Sequence, residues 1–243
     1  MKILLTNDDG IEAEGIRTID EVLTDYGHDV YVVAPSGQRS MTSHAMLFPS
    51  LSALHRIDDR HYAVDGMPAD CVYLVFNSGF ISDRQFDFVI SGINRGYNLS
   101  SDVIFSGTYN AAQEGAIYGC RAIAVAAENS KNIGETYRKA AVFTAEKLPL
   151  FARILTPETV LNINVPENCD GRNCEVASLG EIKHKDPEHL ADCSHASFWS
   201  TPSLTDGFRT DHTVVSDGLI ALTPVNVRPK TNVDTMTRLS GKI

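Results

Sequence analysis

Short apolar runs alternate with amphipathic stretches along the first two thirds of this chain, and that alternation restricts its fold more than any other feature. "KILLTN" is followed by "EGIRTIDEVLTDYG", in which Ile16, Ile19, Leu23 and Tyr26 recur near helical spacing and Gly27 supplies a C-terminal stop. "DVYVVAP" is then a second buried strand, and strand, helix, strand in that order form a right-handed parallel unit. A polar, hairpin-prone stretch to about Gly66 leads to the helix "PADCVYLVFN", opened by Pro68, and to the strand "FDFVIS". After a long loop come "TYNAAQEGAIYG" (helix), "AIAVAA" (strand), "YRKAAVFTAEKLPLF" (helix) and "VLNINVP" (strand). Five strands alternating with helices predict an α/β fold with a doubly wound, mostly parallel sheet occupying residues 1–166. Residues 167–243 read differently: Glu167 to Asp211 is loop-rich, with His184, His189, Cys193 and His195 scattered through it, and only "GLIALTPVNV" is strand-like. Such an extension either pads one edge of the core or reaches onto a neighbouring subunit.

Composition narrows the class. With 43% hydrophobic and 21% charged residues in 243, the chain has material for a full core. No apolar run approaches the roughly 20 residues of a membrane span, and no basic segment leads into an apolar leader, so a cytoplasmic protein without a membrane partner is expected. Five irregularly spaced cysteines do not suggest a disulfide framework, and Cys169 and Cys174 read as reduced loop thiols rather than half a zinc site. A net charge of −10 without a Lys/Arg cluster argues against long nucleic acid as a partner. A small anion remains compatible, provided that a metal ion or helix N-termini offset the overall field.

In open α/β sheets ligands bind beyond the carboxyl ends of the strands. Asp8 and Asp9 follow the first strand, "SGQRS" follows the second, and "SGINRGYN" follows "FDFVIS"; the side chains are almost all oxygen donors. Two adjacent carboxylates become favourable there if they share a divalent cation, with Ser40 and Asn94 adding neutral oxygens. "NDDG" also suits a plain turn that caps a helix, and both readings stand at this point. Ser106, Gly107 and Thr108 immediately precede a helix of small residues, where free N–H groups and hydroxyls suit a phosphate; an ordinary N-cap suits them equally. Arg39, beside Ser40, is a candidate phosphate-directed fork. His44 and His212 lack metal-ligand spacing, and dinucleotide, P-loop and GxSxG fingerprints are absent.

Taken together, "LLTNDDGI", "VVAPSGQRS", "GMPADCV", "SGINRGYNLSSDVIFSGT", "NAAQEGA" and "LNINVP" resemble the survival protein SurE family of metal-dependent 5′-nucleotidases. The resemblance implies a Rossmann-like core with one divalent ion per subunit, Mg²⁺ or Mn²⁺, on Asp8, Asp9, Ser40 and Asn94. Asp8 and Asp9 would be catalytic, and Arg39, Asn94, Ser106, Gly107 and Thr108 would form the phosphate region. It implies hydrolysis of nucleoside 5′-monophosphates, extending to 3′-nucleotides and short polyphosphate, and a homodimer or homotetramer built through a C-terminal β-rich arm, residues 167–243. Two alternatives compete: a metal-dependent nucleotide sensor without turnover, and a glycosyl or nucleotidyl transferase on the same core. Met41 departs from the family pattern, which often has Gly after the metal-binding Ser, and a larger side chain there narrows the mouth of the site.

Overall fold

The computed structural model describes residues 1–50, 53–180, 182–184, 198–200, 207–229 and 235–236. In chain order the alternating region forms β1 (Lys2–Thr6), α1 (Glu14–Asp25), β2 (Asp29–Pro35), β3 (Leu54–Arg56), β4 (His61–Val64), α2 (Pro68–Asn77) and β5 (Phe88–Arg95). A 3₁₀ turn (Ser100–Ile104) leads into α3 (Gly107–Ile117), β6 (Arg121–Ala127), α4 (Ile133–Ile154) and β7 (Thr159–Val165). The five apolar runs are therefore five strands, and the hairpin-prone stretch is the antiparallel pair β3 and β4.

From β1 the chain builds one wing, β2 then β4, and returns to build the other, β5, β6 and β7, all paired in parallel. The direction of winding reverses between β1 and β5, which opens a crevice at their carboxyl ends. Because side chains alternate across a strand, Ile3 and Leu5 face one layer and Leu4 the other. Ile3 and Leu5 pack in one core with Ile16, Ile19 and Leu23 of α1 and Phe143 and Leu148 of α4. Leu4 packs in another with Val72 and Val75 of α2 and Ala111 of α3. The apolar stripe of α1 closes on Val22 and Leu23, whereas Tyr26, counted on that stripe in the sequence, is the exposed C-cap. Gly27 adopts φ +79, the left-handed stop expected of it.

The sheet does not end at Pro166. β8 (Cys174–Val176) and β11 (Ile220–Asn226) extend it, with β11 antiparallel to β7 and β8 parallel to β11. β9 (Ile182–His184) and β10 (Phe198–Ser200) form a separate antiparallel ribbon, and α5 (Asp211–Ser216) precedes β11. Asp211, fully buried, accepts from the Ser100 N–H at 2.6 Å, the Ser100 hydroxyl at 3.0 Å and the Gly180 N–H at 3.2 Å. Residues beyond Pro166 thus brace the loop that follows β5. Cys169 is buried and Cys174 exposed; His189, Cys193 and His195 lie outside the described residues.

Candidate active site

Asn7 folds the end of β1 into a self-contained turn: its side-chain amide donates to the Gly10 carbonyl at 2.8 Å and accepts from the Gly10 N–H at 3.1 Å. Gly10 sits at φ +100, and a Cβ there would stand 3.1 Å from Gly37, so the turn is packed closely against the loop after β2. α1 begins only at Glu14, with Ala13 as N-cap and no side-chain cap bond, so neither Asp8 nor Asp9 caps it. Asp8 faces the crevice instead, with a half-buried Asp9 next to it. Asp8, 3% exposed, accepts from the Thr108 hydroxyl at 2.5 Å, while Asp9 accepts from the Arg95 N–H at 3.1 Å. Burial pushes Asp8 up to about 6 against the Thr108 hydrogen bond, with the Asp9 charge adding to it; burial also raises Asp9, against the Arg95 N–H and charge. Together a buried Asp8 and a half-buried Asp9 form an anionic pair that is under-compensated by the groups around it.

Asn94 arrives from the far end of β5 through a bulge. Ser91 pairs with Ala124 and Asn94 with Ala126, so three steps on β5 oppose two on β6. Gly92 makes this possible at φ +143, where a Cβ would stand 2.4 Å from the Val125 carbonyl oxygen. The Asn94 amide nitrogen donates to the Gly96 carbonyl at 2.9 Å, which leaves the side chain an oxygen to offer. Asn98 is held by its backbone, donating to Asn164 at 2.8 Å and accepting from Asn162 at 2.7 Å. Its own side-chain nitrogen is buried with no hydrogen-bond partner among the described residues.

Opposite stands the start of α3. Ser106 is its N-cap, accepting from the Tyr109 N–H at 3.0 Å, and Gly107 lies so close that a Cβ would meet Asp8 at 2.9 Å. Asp8, Ser40, Asn94, Asn98 and Ser106 line one cleft of about 390 Å³, with Met41, Arg95, Tyr97 and Phe105 around it. That volume lies within the range of small-molecule sites, roughly 300–1,000 Å³. Among the described residues no three His, Cys, Asp or Glu side chains cluster as a metal site, so an ion here would need the neutral oxygens beside the two carboxylates.

A family model, survival protein SurE, matches residues 3–186. The chain belongs to the SurE family. It is 37% identical over 238 residues to the 5′-nucleotidase SurE of Histophilus somni (strain 2336), covering 93% of this chain and 92% of that one. Over 171 residues it is 43% identical to the 5′-nucleotidase SurE of Clostridium botulinum (strain ATCC 19397 / Type A), covering 68% and 67%. The crystal structure of the SurE protein from Aquifex aeolicus superposes with a TM-score of 0.78 at 30% identity, covering 98% of both chains.

Of the residues singled out in the sequence of this SurE member, Asp8, Ser40, Asn94 and Ser106 line one cleft, with Asp9, Gly107 and Thr108 immediately behind it. Thr108 differs from expectation in detail: its hydroxyl donates to Asp8 rather than standing free for a phosphate. Arg39 is not brought to the cleft. Its backbone N–H donates to the Asp8 carbonyl at 2.6 Å, which turns the guanidinium towards the carbonyls of Gly66, at 3.3 Å, and Gln38, at 3.1 Å. Arg95 is the cation that lines the cleft instead, and Asn98 the donor that sequence reading missed. The signal for Asn98 lay in "LNINVP", whose two asparagines are wholly buried in β7 and hold it.

The loop carrying Ser40 is fastened to α3 by His44, whose Nε2 lies 2.8 Å from Glu114 and whose Nδ1 lies 3.3 Å from Gln113. The Glu114 hydrogen bond raises the His44 pKa against the opposing effect of burial. Since the folded value lies above the ordinary 6.5, the contribution is complete below pH 6.5 and is lost as pH rises through the raised value. His44→Asn is therefore expected to cost up to about 1 kcal/mol at pH 6, the histidine being partly exposed beside a buried Glu114, and less at pH 8.5. Urea unfolding of both proteins across that range checks this, and a mutational difference independent of pH would count against a charged pair.

Proposed function

We propose that this chain is a metal-dependent phosphomonoesterase that hydrolyses nucleoside 5′-monophosphates to nucleoside and phosphate, with 3′-nucleotides and short polyphosphate as further substrates. The observation that carries the reading is the under-compensated pair Asp8 and Asp9, held at the sheet's reversal point beside an unpartnered Asn98 donor. The curated relatives named 5′-nucleotidase SurE support it.

The residues fit a hard divalent ion, Mg²⁺ or Mn²⁺. Asp8, Asp9, Ser40 and Asn94 offer only oxygens, and the missing side chain of Gly107 keeps space open beside Asp8 and Thr42. Such an ion, when bound, polarises the phosphoryl group and favours ionisation of the attacking water. The chain's own part is positioning. Thr108 fixes Asp8 through its hydroxyl, and Asp8 is the carboxylate placed to assist the water. The Asn98 amide donates to a phosphoryl oxygen; leaving a buried amide unpaired costs about 1–3 kcal/mol, which an accepting oxygen recovers. The Ser106 hydroxyl already accepts from Tyr109, so its proton is the donor left for the substrate, and Arg95 adds positive charge at the rim.

We further infer a homodimer or homotetramer built through residues 167–243, in the cytoplasm. A two-stranded ribbon such as β9 with β10 is marginal in water by itself, which favours cover from a second subunit. Among the described residues no helix is long and apolar enough to cross a membrane.

Phosphate release from nucleoside monophosphates, polyphosphate and an aryl phosphate, with Mg²⁺, Mn²⁺ or a chelator, tests the reading. Chelation is expected to remove at least about 99% of the activity. Turnover indifferent to chelator would refute the metal, and nucleotide binding without turnover would favour a sensor.

A further inference from the structure

Met41 is the most exposed of the large hydrophobic side chains that line the cleft, at 81%, and it holds a backbone conformation that disfavours it, φ +57. Glycine would adopt that conformation without strain. A strained residue kept for packing would be buried, and this one is not. Among the described residues nothing compensates Met41, which presents a flexible thioether to whatever enters the cleft.

Its position relative to the polar floor is fixed. Two residues on, the Ser43 N–H donates to the Phe105 carbonyl at 3.0 Å and the Ser43 hydroxyl to the Ile104 carbonyl at 2.6 Å. Phe105 is 49% exposed, lines the same cleft and directly precedes Ser106, the cap of α3. An apolar rim of Met41 and Phe105 thus stands over a floor of Asp8, Asn98 and Ser106. A phosphate on that floor leaves the rest of its ester to pass between these two side chains.

We propose that Met41 and Phe105 form a wall that grips the nucleobase of the substrate, and that Met41 is a specificity-determining residue favouring nucleotides over phosphomonoesters without a base. The proposal rests on the phosphomonoesterase reading. A flat aromatic heterocycle suits this wall because sulfur and ring faces attract it and neither side chain asks for a hydrogen bond.

The test compares AMP with ribose 5-phosphate, which differ by the base, in wild type, Met41→Gly, Met41→Leu and Phe105→Leu. For Met41→Gly the ratio of kcat/KM, AMP over ribose 5-phosphate, is expected to fall about 10-fold. The loss should sit in KM rather than kcat, and Met41→Leu should restore most of it. Phe105→Leu should lower the same ratio. An unchanged ratio would overturn the proposal, as would a change in molecular mass by light scattering on Met41→Gly, which would assign the rim to a second copy of the chain. Calorimetric binding of AMP and ribose 5-phosphate to the same proteins separates the two readings. Absence of phosphate release defeats the phosphomonoesterase, whereas the wall itself fails if Met41→Gly weakens both ligands equally or neither.

Discussion

Asp8→Asn is expected to reduce phosphate release by at least about 100-fold while making the metal-free protein more stable at pH 7. Burial and the neighbouring Asp9 charge push the Asp8 carboxyl from 3.8 up to about 6. A folded value above the unfolded one means that the folded protein prefers the protonated acid. Without metal, stability therefore declines as pH rises from about 3.8 through about 6, and above that the full penalty, about 3 kcal/mol, is present. The amide carries no charge, escapes that penalty, and keeps an oxygen to accept from the Thr108 hydroxyl. With chelator at pH 7 the variant should melt higher than wild type, and its stability should be flatter between pH 4 and 6. Adding Mn²⁺ should reverse the order, because an ion that binds only the folded state stabilises wild type by RT ln(1 + [L]/Kd) and the variant binds it weakly. A variant that melts lower with chelator, yet stays active and is still stabilised by Mn²⁺, would return Asp8 to a turn residue.

How much of this was legible in the sequence depended on whether the relevant interaction is local. The apolar runs of β1, β2, β5, β6 and β7 and the stop at Gly27 follow from periodicity and backbone conformation, which neighbouring residues alone determine. The loops carrying Asp8, Ser40 and Asn94 were legible as a group because strand polarity fixes which ends meet. The far edge of the sheet was not. β8 is three residues long, and β11 joins β7 antiparallel, a pairing that no local signal specifies. Arg39 misled because it adjoins Ser40 in sequence, whereas its backbone bond to Asp8 directs the side chain elsewhere. Asn98 stayed hidden because its unpartnered amide arises only once Asn162 and Asn164, more than sixty residues away, have taken its backbone groups.

Gly107 offers the cleanest separation of folding from chemistry. It is the first residue of α3, and its backbone does not need glycine, since φ lies outside the left-handed region. Alanine is the better helix former by about 1 kcal/mol, so helix propensity alone predicts that Gly107→Ala stabilises. The added methyl, however, would stand 2.9 Å from the Asp8 Cβ and Oδ2 and 3.1 Å from the Thr42 hydroxyl. Asp8 is buried and fastened by Thr108, so it can yield only by giving up that bond or its place in the cleft. Displacing a positioned group by as little as 1 Å costs on the order of 100-fold in rate. Phosphate release is therefore expected to fall by about that factor, while the melting temperature stays within a few degrees of wild type because the propensity gain offsets the local displacement. Gly37→Ala is the matched control: apart from its chain neighbours no atom of the described residues lies within 4 Å of its Cβ, and its backbone is equally permissive. Gly115→Ala is the opposite control, since its Cβ would stand 2.4 Å from Val89 in the core and should lower stability. Full activity in Gly107→Ala would mean that Asp8 tolerates displacement, which a carboxylate holding the reacting centre cannot do.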